Sequence, residues 1–381
     1  MQRKSVAAAS AFILATVTIP ASPAKADSFR NDQWYLSTLK VTDAQSITKG
    51  AGIKVAVVDT GTYPHQDLKK NLLSGRSFVP GESGSGQNDR AGHGTEMAAL
   101  IAAHGRGTNG VLGLAPSAEI LPVKISNSKN IAPATEMAAG MEWAIDQGAD
   151  VINISAAIGP SFDVQTATAK ALKENVVVVA SVGNSSTSTI VGFPAAMDGV
   201  LAVGSVGKNG KYSSSSLKTT KVTICAPGID ITTAEPKSRY VDIGGTSPAT
   251  AIASGAAALV RAKFPQLSAE EVVHRLTATA DDIGAPGRDN ECGFGRLNLV
   301  KALTADVPPL EGEASAAPTT AGPATVTSAP GGAASAVGAA QPQADEAGSG
   351  RGLLFGGIAS VVALGGALLF VLLRRRRGRG V

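Results

Sequence analysis

Short, near-continuous runs of β-branched and aliphatic residues recur along this chain between segments patterned as helices, and few folds accommodate that alternation. Ile53-Lys54-Val55-Ala56-Val57-Val58 ends in Asp59-Thr60-Gly61. Val151-Ile152-Asn153-Ile154-Ser155 and Val176-Val177-Val178-Val179-Ala180 each follow a helical stretch, over 134–147 and 164–174. A strand that is apolar on both sides must be covered on both sides, which means a parallel sheet between two layers of helices. Residues 200–206 and 222–226 read as further strands, and 248–264 as a helix of small residues stopped by Pro265. Ser268 and Glu271 have the spacing of a capping box that opens another helix. The expected class is α/β: an open three-layer sandwich with a mostly parallel central sheet and its functional residues at strand carboxyl ends.

The two ends set the expected compartment. Arg3 and Lys4, an apolar run over 6–19 and Ala24-Lys25-Ala26 have the three parts of a secretory signal peptide, predicted over 1–26. Residues 353–373 contain no charge, enough to cross a hydrocarbon core of about 30 Å, and Arg374 to Arg377 follow directly. The positive-inside rule then predicts a transmembrane helix at 353–373 with a basic cytoplasmic tail at 374–381. No LPxTG-type wall-sorting motif precedes it. Between about 304 and 352, Ala, Pro, Gly, Ser and Thr dominate. Such a stretch cannot recover its ordering entropy by burial, so a disordered spacer is expected. An N-terminal extension at 27–52 and one folded domain at 53–303 remain. The 381 residues could hold two or three domains, but 44 glycines and 4% aromatics argue against several bulky cores. Of the 34 Lys and Arg, three lie in the first 25 residues and five in the last eight, leaving 26 against 30 acidic groups between them. The net charge of +4 therefore belongs to the tails, and nucleic acid is not an expected partner. Cys225 and Cys292 are the only cysteines. Outside the cytoplasm two cysteines suggest one disulfide, and two unpaired buried thiols fit the sequence equally.

Three polar residues stand where this layout would expose them: Asp59 at the end of the first strand, His93 in Gly92-His93-Gly94-Thr95, and Ser247 in Gly244-Gly245-Thr246-Ser247 at the mouth of the small-residue helix. Singly, each has a dull reading as a turn former, a loop residue or a helix cap. Together, Asp then His then Ser is one of the chain orders of the hydrolytic triad. A serine hydroxyl needs a base, an imidazole can take its proton and return it to a leaving amine, and a carboxylate fixes the imidazole's tautomer. Asn184, in Ser181-Val182-Gly183-Asn184, could donate its amide to the oxyanion beside the Ser247 backbone N–H; alone, it would read as a turn residue.

Val57-Val58-Asp59-Thr60-Gly61, His93-Gly94-Thr95, Val179 to Asn184 and Gly245-Thr246-Ser247 resemble the four signatures of the subtilisin-like serine proteases. Gly113 to Ala118, Cys225-Ala226-Pro227-Gly228 and Gly293 to Asn298 are similar to that family's connecting landmarks. Signal peptide, protease domain, Pro-rich spacer and one C-terminal membrane helix together look most like the mycosins, membrane-anchored proteases associated with type VII secretion. Gln33-Trp34-Tyr35-Leu36 resembles their N-terminal extension.

The resemblance implies catalytic roles for Asp59, His93 and Ser247 and an oxyanion role for Asn184. It implies a substrate-binding surface of Ser155, Ala156, Ala157, Ser181, Val182 and Gly183. Protein or peptide substrates follow, with a type VII secretion membrane complex as a further partner and the cell membrane as location, single-pass and catalytic domain outside. Asp27 to Gly52 is too short for a folded inhibitory pro-domain. No cofactor is needed for the chemistry, and no metal site is assigned. Extracellular members often bind structural calcium, for which Asp67 and Asp89 are conceivable ligands, though loop aspartates are commonly just solvated. The chain also departs from the family. Ala251 stands where a proline is usual and Pro248 follows the serine directly, at the first helical position. Glu96 replaces a small residue or histidine. Ala157-Ile158 and Ser181-Val182 replace Gly-Gly and Ala-Ala in the primary pocket, which predicts small P1 residues. The reading from another class is a structural subunit of a secretion complex with catalysis secondary; the complete set Asp59, His93, Asn184 and Ser247 favours the enzyme.

Overall fold

The computed structural model describes residues 29–310 except Thr108 and Ile131. The predicted signal peptide, transmembrane helix and basic tail lie outside the described residues, as does the spacer from 311 onward. Among the described residues no helix is long and apolar enough to cross a membrane.

The chain opens with three short helices, α1 (Phe29–Asp32), α2 (Trp34–Thr38) and α3 (Val41–Ile47), and enters β1 (Lys54–Asp59). After β2 (Arg76–Ser77) come α4 (His93–Ala102), the hairpin β3 (His104–Arg106) and β4 (Asn109–Leu112), and β5 (Glu119–Lys124). Two helix–strand units follow: α5 (Ala134–Asp146) with β6 (Val151–Ile154), then α6 (Phe162–Lys173) with β7 (Val177–Ser181). β8 (Leu201–Val206) and β9 (Ile224–Pro227) precede a second hairpin, β10 (Ile231–Glu235) and β11 (Arg239–Ile243). The described residues close with α7 (Thr246–Lys263), α8 (Ala269–Ala278) and α9 (Leu299–Thr304).

Seven strands form one sheet in the order β2-β5-β1-β6-β7-β8-β9, every neighbour parallel. Both faces are covered, as the apolar strands require. Along β1, Val55 and Val57 pack into a core with α4, α7, α8 and α9, while Ala56 and Val58 pack into one with α5 and α6. The chain leaves β1 toward β5 and β2, then returns to its other side as β6. The strand order therefore reverses between β1 and β6, and a crevice opens at their carboxyl ends. The capping box at Ser268 and Glu271 is formed.

The N-terminal extension is a packed layer, with Trp34 and Tyr35 buried. Trp34 Nε1 donates to the carbonyls of Ile229 and Asp230. The Gln33 side chain donates to Leu112 O and accepts from Leu112 N–H, as if it were an extra strand partner. Cys225 and Cys292 form a disulfide with their Cα atoms 5.0 Å apart, which closes the open question of free thiols. It ties edge strand β9 to the segment leading into α9.

Candidate active site

Asp59 is the last residue of β1, at the reversal point. His93 is the first residue of α4, not a loop residue ahead of the helix. Gly94 lets that helix start against the strand end: a Cβ there would lie 2.0 Å from the Gly61 carbonyl oxygen. His93 Nδ1 sits 2.8 Å and 2.9 Å from the two Asp59 carboxylate oxygens, and Asp59 Oδ1 also accepts the Thr60 N–H at 2.7 Å. With Nδ1 donating to a carboxylate, the free lone pair is on Nε2, the tautomer a general base needs. Burial disfavours the imidazolium, but the charges of Asp59, Glu96 and Asp89 and the Asp59 hydrogen bond outweigh it and push the His93 pKa up to about 9.

Asp89, a conceivable calcium ligand in the sequence, does something else. Its Oδ1 accepts from Thr60 Oγ1 and Gly92 N, and its Oδ2 from Thr95 N and Thr95 Oγ1. It thus caps the first turn of α4 from outside the helix and holds His93 in place. Sequence spacing missed this role because Asp89 is not at the cap position; its place three residues before Gly92 is the only hint. Asp67 is likewise spent on donors, accepting from Arg106 Nε, Val111 N and Tyr240 OH. Both carboxylates thus spend their oxygens on N–H and O–H donors, and among the described residues no group of three or more His, Cys, Asp and Glu side chains could hold a metal ion.

The helix carrying Ser247 starts at Thr246, two residues earlier than its apolar pattern suggests. Ser247 is therefore in the first turn, and Pro248 is the third helical residue rather than the first. Its missing N–H still costs nothing, because first-turn N–H groups have no intrahelical partner. The Ser247 Oγ donates to Ser155 O at 3.0 Å, and Ser155 Oγ donates to Ser247 O at 3.1 Å. Asn153 Nδ2 donates to Ser155 Oγ, and Ser254 Oγ donates to Asn153 Oδ1. This buried polar chain pins the start of α7 to the end of β6. Asp59, His93 and Ser247 line one cleft of about 610 Å³. The Asp59–His93 contact is made, while the Ser247 hydroxyl is turned to Ser155.

Asn184 lines the same cleft. Its Oδ1 accepts from Thr246 N at 2.9 Å and Thr246 Oγ1 at 3.1 Å, so both hydrogen bonds to the helix start use the amide oxygen and leave the NH₂ protons to other acceptors. Gly245 makes room for it: at φ 128 a Cβ would lie 3.0 Å from Asn184 Oδ1. Ala156, Ala157 and Gly183 line the cleft, with Ile158 beyond them. Ser155 and Ser181 reach it too, but their hydroxyls are held in internal hydrogen bonds. Val182 does not narrow the pocket, because its side chain packs into the core under α5 and α6. Glu96 is 6% exposed, and burial, against the opposing His93 charge, raises its carboxyl to about 7.

The subtilase family model matches residues 50–295. Subtilisin DY of Bacillus licheniformis is 40% identical over 62% of this chain and 86% of its own length. Subtilisin BL of Lederbergia lenta is 40% identical over 71% of this chain and 97% of its own. Among solved structures, MycP1 from Mycobacterium smegmatis is 29% identical, covers 76% of this chain and 88% of its own, and superposes with a TM-score of 0.65. MycP1 with its N-terminal propeptide removed gives 31%, 72%, 98% and 0.66. The matched stretch contains both strand ends and both helix starts that build the cleft, so the chain belongs to the subtilases and is, like the subtilisins it resembles, a serine endopeptidase.

Proposed function

We propose that Ser247 is the nucleophile, His93 the general base and acid, Asp59 the group that orients it, and Asn184 with the Ser247 N–H the oxyanion donors. The observation that carries this reading is the Asp59–His93 pair facing Ser247 across one cleft. To react, the Ser247 hydroxyl has to leave Ser155 O and bond to His93 Nε2; such hydrogen bonds commonly tighten only with substrate bound. His93 takes the hydroxyl proton as Oγ attacks the peptide carbonyl. The oxyanion of the tetrahedral intermediate is met by the Asn184 amide. The intermediate collapses to an acyl-enzyme as His93 passes the proton to the leaving amine. Water, deprotonated by His93, then releases the acid and restores the serine. Every step of this scheme is carried by side chains, backbone N–H groups and water.

The protease is proposed to be a single-pass membrane protein with its catalytic domain outside the cell, processing exported proteins. The predicted signal peptide and membrane span support that location. The type VII context rests on the likeness to MycP1, described as a serine protease and essential component of the type VII (ESX-1) secretion system. Labelling by a fluorophosphonate probe tests whether Ser247 is activated at all; an unlabelled folded protein would leave the structural-subunit reading. The pocket wall supports a second expectation. Ile158 and Phe193, which both line the cleft, exchange two backbone hydrogen bonds, at 3.1 Å and 2.9 Å, and so fix the wall that carries the Ala157 and Ile158 side chains. In a P1-randomised peptide library, cleavage after Ala, Ser or Gly is expected to exceed that after Phe, Tyr or Leu by at least about tenfold. Efficient cleavage after Phe would reject it.

A further inference from the structure

Ser181, at the end of β7, is 3% exposed, and its hydroxyl lies 2.6 Å from Thr246 Oγ1. A hydroxyl has one proton to give, which fixes the direction of the contact. Thr246 Oγ1 gives its proton to Asn184 Oδ1, so Ser181 must be the donor to Thr246. Ser181 Oγ in turn accepts the Gly183 N–H at 3.1 Å. The result is a one-way relay: Gly183 N–H, Ser181 O–H, Thr246 O–H, Asn184 Oδ1. It ends on the amide of Asn184, a residue that lines the cleft.

We propose that Ser181 is a positioning residue for the oxyanion hole, acting through Thr246 to fix and polarise the Asn184 amide. This rests on the role proposed above for Asn184. With Ser181 donating, the Thr246 proton is committed to Asn184 rather than shared with position 181. Two donors on Oδ1 draw electron density toward it and make the NH₂ protons better donors, the cooperative strengthening expected of hydrogen-bond chains at low dielectric. An alanine at 181, the residue the resembling family carries there, would fill the space without supplying the proton. Ser181 therefore acts on the transition state and leaves substrate binding alone, which places its effect in kcat.

The test is a double-mutant cycle. Ser181→Ala is expected to lower kcat about three- to tenfold with KM within about twofold of wild type. Ser181→Cys, which keeps the volume and replaces O–H with the weak S–H donor, is expected to show the same fall. In an Asn184→Ala background, itself slower by about 10²–10³, Ser181→Ala should have no further effect on kcat. Thermal midpoints of all variants establish that the folded enzyme is being compared. Equal loss in both backgrounds, an unchanged kcat, or a loss confined to KM would overturn the relay while leaving Asn184 as the oxyanion donor. If Asn184→Ala alone keeps full activity, the oxyanion assignment fails first and the relay with it.

Discussion

Ser247→Ala is expected to lower kcat by about six orders of magnitude, the loss subtilisin suffers when its nucleophile is removed, and to abolish fluorophosphonate labelling. The geometry makes this a clean substitution. The side chain makes one hydrogen bond, to Ser155 O, whose loss is worth about 0.5–1.5 kcal/mol. The backbone of Ser247 is held independently by Ser155 Oγ. The variant should therefore fold with nearly the parent thermal midpoint while losing chemistry. Stopped-assay hydrolysis of an activated peptide substrate, together with the midpoint, checks both halves. Residual turnover above about one part in 10⁴ would mean that another group attacks.

Asp59→Asn is the second large effect, expected at about 10⁴ in kcat. Both carboxylate oxygens lie within 2.9 Å of His93 Nδ1, and Thr60 N–H holds Oδ1 as an acceptor, so in the variant the NH₂ takes the Oδ2 place, also against Nδ1. An NH₂ donor beside Nδ1 favours the tautomer that carries its proton on Nε2, the wrong one for a base. The same substitution changes the pH profile. His93 must be neutral to accept a proton, and its pKa is pushed up to about 9. Activity of the parent should therefore rise about tenfold per pH unit below that value and level off above it. With the Asp59 charge gone, burial is no longer outweighed by its main opponent. The limb of the variant should shift down toward or below the ordinary imidazole value of about 6.5. A kcat/KM profile over pH 5–10 measures both limbs, and a limb left near 9 in the variant would contradict the pairing.

The sheet was legible because its strands are apolar on both sides, a pattern that only burial between two helical layers explains. That Asp59, His93, Ser247 and Asn184 would meet at one cleft was legible because each sits where an apolar run stops or a helix of small residues begins. Helix starts were read late. His93 and Ser247 lie inside their helices because the caps that would announce those starts are glycines, at 92 and 245, and the capping oxygens come from elsewhere in the chain. Asp89 illustrates why such roles escape a linear reading: its four donors come from three separate positions, Thr60, Gly92 and Thr95. Val182 was assigned to the pocket by its position next to Ser181 and Gly183. In an extended strand end, neighbours alternate faces, and Val182 took the core side. The hairpins β3–β4 and β10–β11 were not anticipated: the turn dipeptide Asn109-Gly110 falls within β4 rather than between the strands, and the docking of the N-terminal layer depends on partners some 80 and 195 residues away.

The helix bearing Ser247 also runs through the middle of one hydrophobic core, with nearly all its residues from Thr246 to Arg261 buried. The proposed nucleophile sits in the first turn of this internal beam, and its two hydrogen bonds with Ser155 tie that turn to the end of β6 and oppose local fraying. On heating, catalytic death and collapse of the fold should therefore coincide as a single event, with no well-folded but inactive population accumulating beforehand.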